Sequence, residues 1–194
     1  MPSPVVINKA HARRFLLAHL RLLPPRKLRG KQGVLDYIRH VNFIQYDPIN
    51  VVGQNPHLVL QSRVGGYKPA MLDALLYGDR QLVDGFDKQM SIYPVEDWPQ
   101  FAYHRVGTRR YFDLTERLLP PELVRAPKPH ASQENYLEWH VYRRAGGLGL
   151  VDLKVTAEFG GMIGWRGGRI RAAILRLAEK GWLVPVAIEE LPRQ

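Results

Sequence analysis

Proline placement constrains this chain more than any other feature. Fifteen prolines are spread over 194 residues. Each removes a backbone donor and disfavours helical geometry at the residue before it, so helices must fit between them. The segment from residue 8 to 23 fits one such interval. Asn8 suits an N-cap, Ala12, Leu16, Leu20 and Leu23 recur at helical spacing, and Pro24-Pro25 stop the run. A second helix is expected from Gly33 to Phe43, with Leu35, Ile38 and Val41/Asn42 along one side. Pro69 to Tyr77 reads as a third, with proline in its first turn. Gln89 to Tyr93 reads as a short extended segment, and Pro94 to Trp98 opens a stretch that is helical to Arg105. Val124 to Ser132, rich in proline and basic residues, is the expected linker.

Beyond the linker, Gln133 to Ala145 is helical in pattern, and Gly146-Gly147-Leu148-Gly149 should end it. Leu150 to Phe159 reads as the first helix of a helix-turn-helix, with Gly160, Gly161 and Gly164 supplying the turn. The next helix, Gly167 to Lys180, buries Ile170, Ile174 and Leu177. Trp182 to Ile188 is expected as a strand opening a wing.

Cysteine is absent, which excludes disulfides, thiolate metal sites and cysteine nucleophiles, and suits a cytoplasmic protein. No apolar run approaches the roughly 18 residues of a membrane span. The amino terminus lacks the pattern of a secretory signal. The 28 Lys and Arg against 18 acidic residues leave a net charge of +10, which favours polyanionic partners.

The chemistry concentrates in Phe43-Ile44-Gln45-Tyr46-Asp47-Pro48-Ile49-Asn50-Val51-Val52. Pro48 keeps Asp47 out of a helix. In an extended segment residues two apart share a side, so Gln45 and Asp47 are expected to face one target. A carboxylate beside an amide can hold a water and stabilise developing positive charge. An Asp-Pro step is more commonly just a turn.

This stretch, continued by His57-Leu58-Val59-Leu60-Gln61-Ser62-Arg63-Val64-Gly65-Gly66-Tyr67, Leu72-Asp73-Ala74-Leu75-Leu76-Tyr77 and Pro94-Val95-Glu96-Asp97-Trp98-Pro99, resembles the AlkZ/YcaQ-like DNA glycosylases. Those are winged-helix proteins with a Gln-x-Gln or Gln-x-Asp catalytic motif. The resemblance implies a mainly α fold with short β wings, built as tandem winged-helix (helix-turn-helix) units: residues 1–123, a linker at 124–132, and a second unit at 133–194. It implies Gln45 and Asp47 as catalytic residues, double-stranded, damaged DNA as partner, and alkylated purines of the N7-alkylguanine type as substrate, with unhooking of interstrand crosslinks included. Residues Arg109 to Pro121 look like a family segment that follows a second winged helix in full-length relatives. On this resemblance, a middle winged helix and the carboxy-terminal β-barrel of full-length relatives are expected to be missing here. A non-catalytic winged-helix DNA-binding protein, degenerate or shortened, is the competing reading; the intact Gln-x-Asp favours the enzyme.

Several residues admit two roles. His57 matches a family position and serves the site or packs the apolar run after it. Gln54 stands where relatives often carry arginine. Arg63 binds DNA or pairs with a structural acid such as Asp73. The loop of Arg26, Lys27, Arg29 and Lys31 contacts phosphate or is merely solvated. Arg166, Arg169, Arg176 and Lys180 fall on one strip of the last helix, where phosphate contact is favoured over a solvated face. His104, His130 and His140 show no metal-ligand spacing, so no metal is expected. The glycines from 160 to 168 lack a phosphate-loop Lys-Ser/Thr, so no nucleotide cofactor is expected either.

Overall fold

The computed structural model describes residues 2–25, 27–47, 49–87, 89–103, 119–154, 159 and 165–189, with the side chains of Phe86, Ala102 and Tyr103 left aside. The described chain is about half helical, with short strands, as a mainly α reading requires. It forms two compact units. One is Pro25–Tyr136; the other joins Met1–Pro24 to Leu137–Gln194. In this division the first residues of the chain group with the last.

In the unit Pro25–Tyr136, helix α2 (Gly30–Val41) buries Val34, Leu35, Tyr37, Ile38 and Val41 on one face. It starts three residues earlier than its apolar pattern suggests and ends at Asn42, which takes the left-handed conformation at φ 68°. Asparagine tolerates that geometry better than most residues, so it terminates the helix and redirects the chain. Strand β2 (Ile44–Gln45) follows, then α3 (Asn55–Gln61), and α4 (Pro69–Asp73), whose last turn widens into a π turn over Ala74–Gly78. The run Leu58-Val59-Leu60 lies within α3.

Strands β3 (Leu82–Phe86) and β4 (Met90–Pro94) form an antiparallel hairpin, and β2 adds antiparallel to β4, giving the order β2-β4-β3. The extended segment expected at Gln89–Tyr93 is thus the second half of a hairpin whose first half, Leu82–Phe86, has no clear alternation in the sequence. A 3₁₀ segment (Val95–Tyr103) follows where an α-helix was expected; Pro99 inside it removes a donor. A short helix α5 (Pro121–Val124) precedes the proline-rich stretch. Surface pairs Lys31–Asp79 (2.6 Å) and Arg39–Glu96 (2.8 Å) tie α2 to the segments packed beside it. Exposed pairs like these contribute about 0–1 kcal/mol each.

In the other unit, β1 (Val5–Ile7) leads into α1 (Lys9–His19), where the Asn8 carboxamide accepts a hydrogen bond from the His11 amide at 2.8 Å, the expected cap. Helix α6 (Gln133–Leu148) runs through Gly146 and Gly147 and stops only at Gly149, whose φ is +82°. A side chain at Gly149 would also meet the His19 ring, 2.8 Å from its Cδ2. Helix α7 (Gly167–Glu179) sets Ile170, Ala173, Ile174 and Leu177 against Leu137, Val141 and Phe159 to form the core.

Two expectations for this unit change. Leu150–Lys154 form a turn closed by the Asp152 carboxylate accepting the Lys154 amide (2.9 Å), not the start of a helix; residues 155–158 lie outside the described residues. The terminal strand is β5 (Val186–Ile188). Its partner is β1, parallel, in register Val5↔Val186 and Ile7↔Ile188, in place of an antiparallel wing strand.

Candidate active site

The Gln45/Asp47 stretch is positioned by its two neighbours, α2 and β4. Ile44 is buried at 4% exposure and faces the core, so Gln45 next to it points to solvent, as strand alternation demands. Gln45 lies opposite Ser91, and the Tyr46 amide extends the pairing by donating to the Met90 carbonyl at 2.9 Å. Past this point the chain turns. Asp47 is half-buried, and one carboxylate oxygen, Oδ1, accepts the Ile49 amide at 3.0 Å. The Asp47 side chain thus makes a local bond to the backbone two residues on, and its second oxygen stays outside that bond. The residues that follow, Ile49, Val51 and Val52, project into solvent. Gln45 donates through Nε2 to Oε1 of Gln89 at 2.7 Å.

His57 sits in the first turns of α3, which packs beside β2. Its Nδ1 is 2.6 Å from the Tyr67 hydroxyl. Burial, and secondarily the charge of Asp73, pushes the Tyr67 phenol up to about 12, so Tyr67 keeps its proton and can donate it to His57. Arg63 is half-buried: it donates to the Val59 carbonyl (3.1 Å) and the Ser62 hydroxyl (2.5 Å), and its guanidinium lies over the Tyr37 ring, 5.4 Å from the centroid. Burial raises the Tyr37 phenol, and Arg63 opposes that shift without cancelling it. These contacts give Arg63 a role inside the unit.

In the other unit, the basic strip of α7 is split. Arg166 is the exposed residue at its start, and exposed Arg169 lies over the Trp165 ring at 4.5 Å. Arg176 and Lys180 both bind Glu138 of α6, at 2.6 and 2.5 Å. Burial would raise the Glu138 carboxyl, but hydrogen bonds from Lys180 and Arg176 outweigh it and hold the group below the ordinary carboxylate range. Half of the strip is thus compensated by an acid.

Among the described residues, no group of three or more His, Cys, Asp and Glu side chains gathers as metal ligands, and no helix is long and apolar enough to cross a membrane. Sequence reasoning missed Gln89, Tyr67 and Glu138. Gln89 and Glu138 act across 44 and 38 to 42 residues of chain, where no local pattern could announce them.

Residues 38–105 match the family model of AlkZ-like DNA glycosylases. The match spans α2 from Ile38 through the 3₁₀ segment and contains Gln45, Asp47, His57, Arg63 and Gln89. Over this part the chain is consistent with an AlkZ/YcaQ-like family member, which supports a DNA glycosylase-type function and DNA as partner. No curated protein matches the chain.

Proposed function

We propose that the protein is a monofunctional DNA glycosylase that hydrolyses the N-glycosidic bond of alkylated purines in double-stranded DNA. The observation that carries this reading is the placement of Gln45 and Asp47 at an open sheet edge within the segment matched to AlkZ-like glycosylases. The helix–strand–helix–helix–strand–strand order from Gly30 to Pro94, with the first strand paired to the last, supports the winged-helix arrangement for this unit.

In the proposed reaction the C1′–N9 bond breaks and its electron pair leaves with the purine. A purine alkylated at N7 is already cationic, so it departs as a neutral base and needs little acid catalysis. The sugar passes through an oxocarbenium-like transition state, whose positive charge the Asp47 carboxylate stabilises. Water adds to C1′ and passes its proton towards Asp47, leaving an abasic sugar. Crosslinks through N7 are substrates on the same grounds.

The test is single-turnover base release from a duplex bearing one N7-methylguanine. Asp47→Asn should slow it by about 10²–10⁴-fold, the usual range for a positioned base. Duplex binding without base release by the intact chain would instead make it a DNA-binding module.

A further inference from the structure

We propose that the loop after the motif is a wedge: Ile49, Val51 and Val52 enter the base stack of the duplex from the minor groove and part it beside the nucleotide that Asp47 acts on. This rests on the glycosylase reading. Among the described residues of the Pro25–Tyr136 unit, five large hydrophobic side chains are exposed, and four of them, Ile49, Val51, Val52 and Leu58, fall within ten residues just after the motif. Exposed aliphatic residues scattered singly are ordinary, whereas a cluster marks a contact surface. Val51 and Val52 are the extreme cases, at 85% and 83% exposure. The loop that carries them is held at both ends. At its start the Ile49 amide donates to Asp47 Oδ1 at 3.0 Å, which ties the loop to the motif. At its end the Gln54 carbonyl accepts the His57 and Leu58 amides, at 3.0 and 3.2 Å, and α3 begins. Gly53, at φ +139°, brings the chain back, and a side chain there would meet Leu58, 3.1 Å from its Cδ2. Val51 lies four residues beyond Asp47. Chain geometry keeps it within about 14 Å of the Asp47 Cα, roughly four base-pair steps.

Charge decides what this tip can touch. No Lys, Arg, Asp or Glu stands between Asp47 and Arg63, in a chain of which 24% is charged. A tip without cations gains little from phosphates. It carries instead β-branched side chains interleaved with the carboxamides of Asn50 and Gln54, a combination that suits the minor groove and an opened base step. The chemistry asks for the same groove. C1′ borders the minor groove, whereas an alkyl group on purine N7 stands in the major groove. A carboxylate directed at C1′ therefore brings the loop tied to it into the minor groove. Parting the stack there separates the lesion from its neighbour and makes room for water at C1′. A damaged purine unstacks more easily than a normal one, so the wedge also favours damaged nucleotides.

The experiment compares the intact chain, V51S/V52S and V51L/V52L on a duplex carrying one N7-methylguanine with 2-aminopurine as the adjoining base, whose fluorescence rises when it unstacks. Binding of the intact chain should raise the fluorescence, and binding of V51S/V52S should not. Single-turnover base release from the duplex should fall about ten- to a hundredfold in V51S/V52S, the scale of one unstacked step. Release from the same strand without its complement, which has little stack to part, should be unchanged. The leucines restore apolar bulk and should recover both fluorescence and rate. The salt dependence of duplex binding, set by phosphate contacts, should be the same in all three proteins. Equal fluorescence and equal duplex rates for the intact chain and V51S/V52S overturn the inference and leave the glycosylase reading standing. So does an equal loss on duplex and single strand. A dimer of the intact chain in sedimentation that V51S/V52S dissolves, with no fluorescence rise on DNA, also overturns it, because a second copy then covers the patch. A fluorescence rise that depends on Val51 and Val52 without base release removes the glycosylase reading and keeps the wedge as a DNA-binding device. Neither fluorescence rise nor base release by the intact chain removes both.

Discussion

Replacing Glu138 by glutamine tests how much of the Met1–Pro24/Leu137–Gln194 unit hangs on one carboxylate. The side chain is only 12% exposed, while its partners Arg176 and Lys180 are 39% and 47% exposed. Freed of Glu138, Lys180 can turn to water and Arg176 keeps part of its side chain exposed, so the cost stays below that of a stranded buried charge. Glutamine keeps one acceptor and turns a donor towards a cation. Two bonds from cations to a carboxylate reduced to one bond to an uncharged amide oxygen should cost about 1–2 kcal/mol. For a unit of about 80 residues this lowers the midpoint by roughly 5–15 °C. Tryptophan fluorescence is the natural assay, because Trp139, Trp165 and Trp182 all lie in this unit. The loss should depend on pH in a definite direction. Glu138 is held below its ordinary value of 4.5, so its stabilisation is complete above that value and disappears as pH falls through the lower folded-state value. The gap between the two proteins should therefore be full at pH 7 and close towards pH 3. A gap of the same size at both pH values, or no gap at pH 7, would refute the electrostatic account.

Two further outcomes follow from the Pro25–Tyr136 unit. Gly85→Ala should destabilise it by about 1–3 kcal/mol in urea unfolding followed by circular dichroism. The new Cβ would lie 2.9 and 3.0 Å from Cε1 and Cζ of Tyr93, which is buried at 1% exposure and has nowhere to move; an unchanged midpoint would contradict that packing. Tyr67 should ionise at about 12 in an absorbance titration at 295 nm, lost in Tyr67→Phe. Its contribution to stability is present below the ordinary value of 10.0 and fades as pH rises from there towards 12, so a phenol titrating near 10 would mean that it is not buried against Asp73.

What was legible in the sequence was local. The Asn8 cap, the buried stripe of α2 and the stripe Ile170, Ile174, Leu177 of α7 each depend on residues three or four apart, and each formed. The extended backbone expected at Gln45 formed, because Pro48 disfavours helix just before it and Ile44 supplies the inward face. What was not legible depends on distant partners. Val5–Ile7 is a strand only because Val186–Ile188 lies beside it, nearly the whole chain away. Arg176 and Lys180 looked like an uncompensated strip because Glu138 is on another helix. Leu82–Phe86 carries Asp84 and Gly85 in its middle, which spoils the alternation by which a strand is recognised; its pairing with β4 overrides that weakness. The helix expected over Leu150–Phe159 failed at its start because Asp152 satisfies the Lys154 amide locally, an alternative to helix that short polar side chains offer.

The parallel pair of Val5–Ile7 with Val186–Ile188 also dictates an order of events during synthesis. Residues 25–136 leave the ribosome together and hold all the pairings of the β2-β4-β3 sheet, so that part can finish folding while translation continues. The opening residues cannot. Val5 has to wait, its edge unpaired, until residue 186 has emerged, and the closure then spans a very long loop, the kind of contact that forms late. For that interval the amino-terminal segment is a nascent-chain liability, a β-branched edge available to any neighbouring strand. Slowing elongation between residues 137 and 186 should lengthen the exposure of Val5–Ile7 and leave the Pro25–Tyr136 unit unaffected.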